Sequence, residues 1–214
     1  MIPFFTKNSS TFNILIVTNI ENYKNNKMKK YLLISLKLTV VFIIILSVLY
    51  PLFIAAVAKF SPGGGKGETV SVNGKVVGYA NIGQKFTADK YFNSRPSAVD
   101  YNAAGSAGSN KGPSNPDYLK QVQERIDSFL KHNPSIKKEQ IPSELVTESG
   151  SGLDPDISYE GALVQVARIA KTRNITADKI TKLVNQQLQK PLLSLMGPTK
   201  VNVLKLNIEL DKIK

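Results

Sequence analysis

From Leu38 to Ala58 the chain reads LTVVFIIILSVLYPLFIAAVA, 21 residues without a charge. As an α-helix at about 1.5 Å per residue this stretch covers about 30 Å, the thickness of a bilayer's hydrocarbon core. A helix buried in a soluble protein seldom runs so far without a polar face, so we read a transmembrane helix. Residues 31–37 extend it at its start, where Lys37 can carry its ammonium to the headgroups. Pro51 is expected to kink it. A cleaved secretory signal is the competing reading, because Ala56-Val57-Ala58 resembles a cleavage site. The apolar run exceeds the roughly 7–15 residues of a signal core, which favours a retained anchor. Both readings carry the remainder across the membrane. Lys24, Lys27, Lys29, Lys30 and Lys37 precede or open the span, against Lys59, Lys66 and Lys75 after it. The positive-inside bias therefore puts the N-terminus in the cytoplasm and residues 59–214 outside.

Other classes fall to composition. The chain has 214 residues, no cysteine and one histidine, His132. That excludes a disulfide framework, a Cys-type zinc site, a cysteine nucleophile and a His-based metal cluster within this chain. The formal charge is +12, but six basic residues and one acid lie in residues 1–58, leaving 22 basic and 15 acidic side chains beyond. Those are spread singly apart from Lys137-Lys138, with no basic stripe, so we expect no nucleic-acid binding. Residues 1–27 lack periodicity, and Met28-Lys29-Lys30 before the apolar run looks like a natural start. Translation is expected to begin at Met28.

The expected architecture is an α+β extracytoplasmic domain anchored by one N-terminal transmembrane helix. Its segments are a cytoplasmic stretch (1–30), the span (31–58), a linker (59–68) and the domain (69–214). Gly63-Gly64-Gly65-Lys66-Gly67 lacks the GxxxxGK[ST] spacing of a phosphate loop and reads as linker. Residues 69–72 and 76–81 are β-rich and meet at Asn73-Gly74, a hairpin turn. Asn115 and Pro116 open a helix with Leu119, Val122, Ile126, Phe129 and Leu130 as its buried stripe, and Pro134 ends it. His132 in its last turn suits the helix dipole better than a ligand role. Ser158 opens a second helix to about Thr172, with Ala162, Val166, Ile169 and Ala170 inward. Thr176 caps a third, where Ile180, Leu183, Val184 and Leu188 recur at helical spacing. Alternation of Leu204, Leu206, Ile208 and Leu210 with polar residues predicts a half-buried strand. Between Asn93 and Asp117 the chain has no Leu, Ile, Phe or Met. Its Ser/Gly/Asn/Pro composition favours disorder, with Tyr91-Phe92 and Tyr101 as places where it could be pinned.

Several segments carry a family likeness. They are Tyr91-Phe92-Asn93-Ser94-Arg95-Pro96-Ser97-Ala98, then residues 105–110 and 112–116, then Ser149-Gly150-Ser151-Gly152-Leu153-Asp154-Pro155, and finally residues 165–170 and 201–207. In this order behind a single span, the set resembles the small C subunit of the Kdp-type potassium-transporting P-type ATPase, from about Met28 to Asp211. The resemblance implies a non-catalytic accessory subunit in the cell membrane. Its partners would be a channel-like potassium-binding subunit, an ATP-hydrolysing P-type subunit and a small single-span peptide. It implies a catalytic chaperone that raises the pump subunit's affinity for ATP, with ATP met only in a transient complex and no stably bound cofactor. The family's proposed nucleotide contact, similar to the ABC-transporter signature, would fall on residues 104–110, which lack its Leu-Ser-Gly-Gly opening. The candidate interface or nucleotide-linked residues are Arg95, Ser106, Gly108, Ser109, Asn110, Ser149, Gly150, Ser151, Gly152 and Asp154.

The orientation argued above places residues 104–110 outside, away from cellular ATP. Coupling would then run through the membrane helix or the partners as an allosteric free energy, typically about 1–3 kcal/mol. An outer domain above the channel-like subunit could also shape potassium access. Asp154, Asp156 and Glu160 could be a cation site, but they read more simply as a turn whose acids favour the next helix N-terminus. Arg95 is expected to brace the long loop through a bidentate carboxylate contact with Asp154. Ser149 and Ser151 lack G-x-S-x-G spacing and a nearby base, so no catalytic residue and no metal ligand is assigned. The Ser149–Asp156 element is expected to dock on a partner, so that Gly152→Val should spare the fold and weaken assembly. An anchored domain that binds a small ligand of its own is the alternative function.

Overall fold

The computed structural model describes residues 9–191 and 196–213. It divides into two compact units at Ser61–Pro62.

In the first unit the described residues are helical from Ser9 to Ala58: α1 (Ser9–Ile43), a π-helical stretch (Ile44–Leu49) and α2 (Tyr50–Ala58). Its 32 residues from Lys27 to Ala58 form a helix long and apolar enough to cross a bilayer. Hydroxyls on this rod are turned back onto it. Ser35 Oγ donates to the Leu32 carbonyl at 3.0 Å, and Thr39 Oγ1 to that of Ser35 at 2.9 Å, so neither needs water. Pro51 has no N–H and its ring crowds the preceding turn. The chain answers by widening that turn, with the Tyr50 N–H reaching back five residues to the Ile45 carbonyl.

In the second unit, β1 (Thr69–Val72) and β2 (Lys75–Tyr79) pair antiparallel across Asn73 and Gly74. Both turn residues have positive φ, 50° and 77°, as a tight hairpin requires. A second sheet has the order β3-β5-β4, from Asp156–Ser158, Lys200–Asn202 and Leu188–Gln189, all antiparallel. Among the described residues of the unit there are also four α-helices: α3 (Pro116–His132), α4 (Tyr159–Arg173), α5 (Ala177–Gln186) and α6 (Val203–Asp211). The fold is mixed α and β, with α4, α5, α6 and the three-stranded sheet enclosing the core. Ile157, Ala162, Val166, Ile169, Ile180, Val184, Val201, Leu206 and Leu210 pack there with Phe92, which is fully buried.

Helix starts follow the expected caps. Asn115 Oδ1 accepts from the Tyr118 N–H at 3.0 Å, and Ser158 Oγ from that of Gly161 at 2.9 Å. Thr176 stands at the cap of α5 without a side-chain bond. Three expectations fail. The predicted strand over Leu204–Leu210 is the helix α6. Asn202 caps it, accepting from the Lys205 N–H at 3.0 Å, and Val203, Leu206, Asn207 and Leu210 bury at helical spacing. Period-2 and period-3.6 patterns overlap over so short a run. Leu188 leaves α5 to pair with Val201 in the sheet. The α3 stripe is shallower than expected: no residue of α3 is buried and Leu119 is exposed.

Polar side chains brace the irregular segment between β2 and α3, which lacks sheet partners. Asn207 bonds both the N–H and the carbonyl of Phe92, at 2.9 and 3.0 Å. Asn202 Nδ2 donates to the Ala80 carbonyl at 2.7 Å. Gln165, on α4, accepts from the Asn93 N–H at 2.8 Å and donates to its carbonyl at 3.2 Å. Each amide stands in for a missing neighbouring strand and leaves the buried main chain satisfied.

Candidate docking site

The sequence-predicted residues converge on one cluster built from two loops, residues 94–110 and 148–154. The first loop is fixed rather than disordered. Ser97 Oγ accepts from the N–H groups of Val99 (3.2 Å) and Tyr101 (2.9 Å) and donates to the Gly152 carbonyl at 2.6 Å. The Tyr101 hydroxyl closes the turn on the Arg95 carbonyl. Asp100 and Tyr101 both have positive φ, 49° and 60°, a strained pair held by these contacts. Tyr101 thus pins the loop as expected, and Phe92 anchors its start.

The second loop lies directly on the first. Ser149 N–H donates to the Pro96 carbonyl at 3.2 Å, and Ser149 Oγ, buried, accepts from the Gly152 N–H at 2.9 Å. The Ser151 carbonyl accepts twice at 3.0 Å, from the Ala107 N–H and from Ser106 Oγ. Gly108 sits so close that a Cβ there would meet the Gly150 carbonyl at 3.2 Å. Gly152 is buried with φ 68°, and a Cβ on it would meet Val99 Cγ2 at 2.7 Å and the Ala107 carbonyl at 2.8 Å. This corrects the expectation that Gly152→Val would spare the fold, because Gly152 faces the interior. Gly150, Ser151, Ser106 and Asn110 are exposed and form the outward surface.

Charged groups lie beneath. Arg95 does reach Asp154, Nη1 to Oδ2 at 3.0 Å, but not as a bidentate fork. Its Nη2 turns instead to the Glu148 carbonyl at 3.4 Å. The other Asp154 oxygen accepts from the Asp156 N–H at 3.1 Å, and Asp156 pairs with Lys200 at 2.5 Å. Both acids are therefore committed to the turn before α4. Sequence reasoning missed Arg125 and Glu148, whose Nη2 and Oε1 pair at 2.5 Å with the carboxylate almost wholly enclosed. An arginine beside Val122 and Ile126 on the half-buried face of α3 was the available signal.

Burial works against the charged form of Glu148. The facing Ser109 hydroxyl and Arg125 guanidinium outweigh it and hold this carboxyl below its ordinary value. Its contribution to stability is present above the ordinary carboxylate range and lost as pH falls through the lowered value. Acid unfolding of the wild type should therefore be steeper than that of Glu148→Gln, which circular dichroism at stepped pH would detect; equal slopes would refute the assignment. Burial pushes the Tyr101 hydroxyl up to about 12. Its contribution is complete below about pH 10, the ordinary phenol value, and fades as pH rises through the raised one. Ultraviolet titration of Tyr101→Phe should lose the component near pH 12. An unchanged titration would mean that the ring is not enclosed as described.

What the cluster offers is a braced surface of main-chain, glycine and hydroxyl groups. Among the described residues, one helix long and apolar enough to span a bilayer precedes this mixed α and β unit. The comparisons specify it further. A family model described as "K+-transporting ATPase, c chain" matches residues 32–212. The potassium-transporting ATPase KdpC subunit of Flavobacterium johnsoniae is 58% identical over 185 residues, covering 86% of this chain and 100% of that protein. Its counterpart from Flavobacterium psychrophilum is 57% identical over 179 residues, covering 84% and 96%. That of Caldanaerobacter subterraneus is 44% identical over 182 residues, covering 84% and 94%. The chain belongs to the K+-transporting ATPase c chain family.

Proposed function

We propose that this chain is a non-catalytic accessory subunit of an ATP-driven, high-affinity potassium-uptake pump. The observation that carries the reading is the span of the family match, which begins in the apolar helix and runs through the folded unit to residue 212. The apolar helix is the single-pass anchor in the cell membrane, with the N-terminus cytoplasmic and the folded unit outside. The lysines before the span support that orientation. Partners are a channel-like potassium-binding subunit, a P-type ATP-hydrolysing subunit and a small single-span peptide. The exposed groups at Ser106, Asn110, Gly150 and Ser151 face a partner, and Arg95, Ser149, Gly152 and Asp154 hold that surface in shape.

As a catalytic chaperone, the subunit raises the ATP affinity of the hydrolysing subunit. ATP lies on the other side of the membrane from the docking surface, so the effect passes through the anchor or the partners as a coupling free energy. Leaving the subunit out of the reconstituted pump should raise the apparent KM for ATP by roughly 5- to 150-fold, the range such couplings span. An unchanged KM would remove the chaperone role. A reporter fused after Lys214 should behave as extracytoplasmic, and cytoplasmic activity from an inserted fusion would reverse the orientation.

A further inference from the structure

His132, Asp89 and Arg168 form a run of polar contacts between α3, the irregular segment and α4. His132 Nδ1 stands 2.8 Å from Asp89 Oδ1, and Arg168 Nη1 stands 3.8 Å from the same oxygen. The His132 and Asp89 side chains are half exposed, at 50% and 47%, whereas that of Arg168 is 4% exposed. The imidazole can therefore trade protons with solvent while the guanidinium beneath stays fixed. Arg168 is tied down on every side. It donates to Asn133 Oδ1 (3.1 Å), the Asp89 carbonyl (2.5 Å), Asn93 Oδ1 (2.7 Å) and Gln165 Oε1 (2.8 Å).

The helix that carries His132 lies at the edge of the core, with Phe129 half-buried against it and Asn133, just past its end, held by Arg168 at 3.1 Å. No residue of α3 is buried, and side chains along one of its faces tether it. Those tethers include Arg125, to Glu148 at 2.5 Å and to the Val146 carbonyl at 3.3 Å, and His132, to Asp89. Arg125 and His132 are seven residues apart and share that face. We propose that His132 is a proton-operated latch for α3. Protonated, it forms a full ion pair with Asp89 and holds the end of α3 against the irregular segment. Neutral, it keeps a weaker hydrogen bond and lets that end loosen.

The latch is closed under acid conditions, where an imidazole carries its proton, and open under alkaline ones, where it does not. The other charged groups around it are Lys131 on α3, Lys171 and Arg168 on α4, and Arg125 across the neighbouring cleft. All are cations, and among the described residues Asp89 is the one acid lining either cleft. The two lysines are exposed and screened by water, while Asp89 is in direct contact with the imidazole at 2.8 Å. The consequence reaches the docking surface. Glu148, which Arg125 holds, directly precedes Ser149, so a loosened α3 relaxes the loop that presents Gly150 and Ser151. Acid conditions should therefore stiffen that surface.

The test is hydrogen exchange of the full chain in detergent at about pH 5.5 and pH 8, normalised to intrinsic exchange rates, with α6 as internal reference. Amides of α3 and of residues 148–152 should be protected roughly two- to five-fold more at the lower pH, the range of a half-exposed ion pair. His132→Gln should show the weaker protection at both pH values, and His132→Lys, a permanent cation, the stronger. No pH difference in the wild type, a difference that survives in His132→Gln, or a His132→Lys variant that matches His132→Gln would each overturn the latch.

Discussion

Replacing Gly152 by valine is expected to destabilise the folded unit by roughly 2–5 kcal/mol, the sum of backbone strain at positive φ and overpacking against a filled neighbour. The added Cβ would stand 2.7 Å from Val99 Cγ2 and 2.8 Å from the Ala107 carbonyl, and neither can retreat freely. Ala107 is bonded to Ser151 through its own N–H, and the turn that holds Val99 is closed by Ser97 and Tyr101. Gly150 is the matched control, because a Cβ there meets nothing within 4 Å. Gly150→Ala should leave thermal unfolding within about 0.5 kcal/mol of wild type. If Gly150 lies in a partner contact, that variant should lower the yield of the assembled complex without lowering stability. Equal unfolding of the two variants would contradict the loop geometry.

Arg168→Met should be comparably severe, costing about 3–5 kcal/mol in chemical unfolding. Removing the guanidinium takes the donor from four acceptors, on Asn133, Asp89, Asn93 and Gln165, two of them in buried bonds and two in part-buried ones. Burial already pulls the pKa of Arg168 below the ordinary guanidinium value, partly offset by Asp89. Arg168→Lys should rescue little, because one ammonium cannot reproduce the planar fork that reaches four partners. Full stability of either variant would mean that the irregular segment is held by something other than this network.

The legible parts of this fold were those in which one residue type carries one physical consequence. Twenty-one uncharged residues mean a helix long enough for a bilayer, Asn73-Gly74 means a tight hairpin, and Asn115 and Ser158 mean helix starts. The site was legible as a set of neighbours for a different reason. The Ser149–Asp154 and Arg95–Ala98 elements were picked out through their likeness to a family, and the structure brings them together. The long polar loop was misread because its anchors are not apolar. A serine hydroxyl, a tyrosine hydroxyl and main-chain bonds to Ser151 fix it, and composition counts such groups as signs of disorder. Gln165 and Arg168, though part of the family likeness, were given no anchoring role for the same reason, as polar positions on a helix whose apolar stripe had already been assigned. The end of the chain misled through arithmetic. Leu204, Leu206 and Leu210 fit alternation, but Val203 and Asn207, buried in α6, fit only a helix.

Membership of the family makes assembly the central claim, and isolation of the assembled complex tests it most directly. An affinity tag after Lys214, with the chain co-expressed with the ATPase subunits of its own organism, should bring down the channel-like and ATP-hydrolysing subunits in equal amounts from detergent-solubilised membranes. Potassium-stimulated ATP hydrolysis should co-elute with them. A tagged chain that is folded and membrane-inserted yet elutes alone, while the remaining subunits run as an active pump without it, would contradict the account.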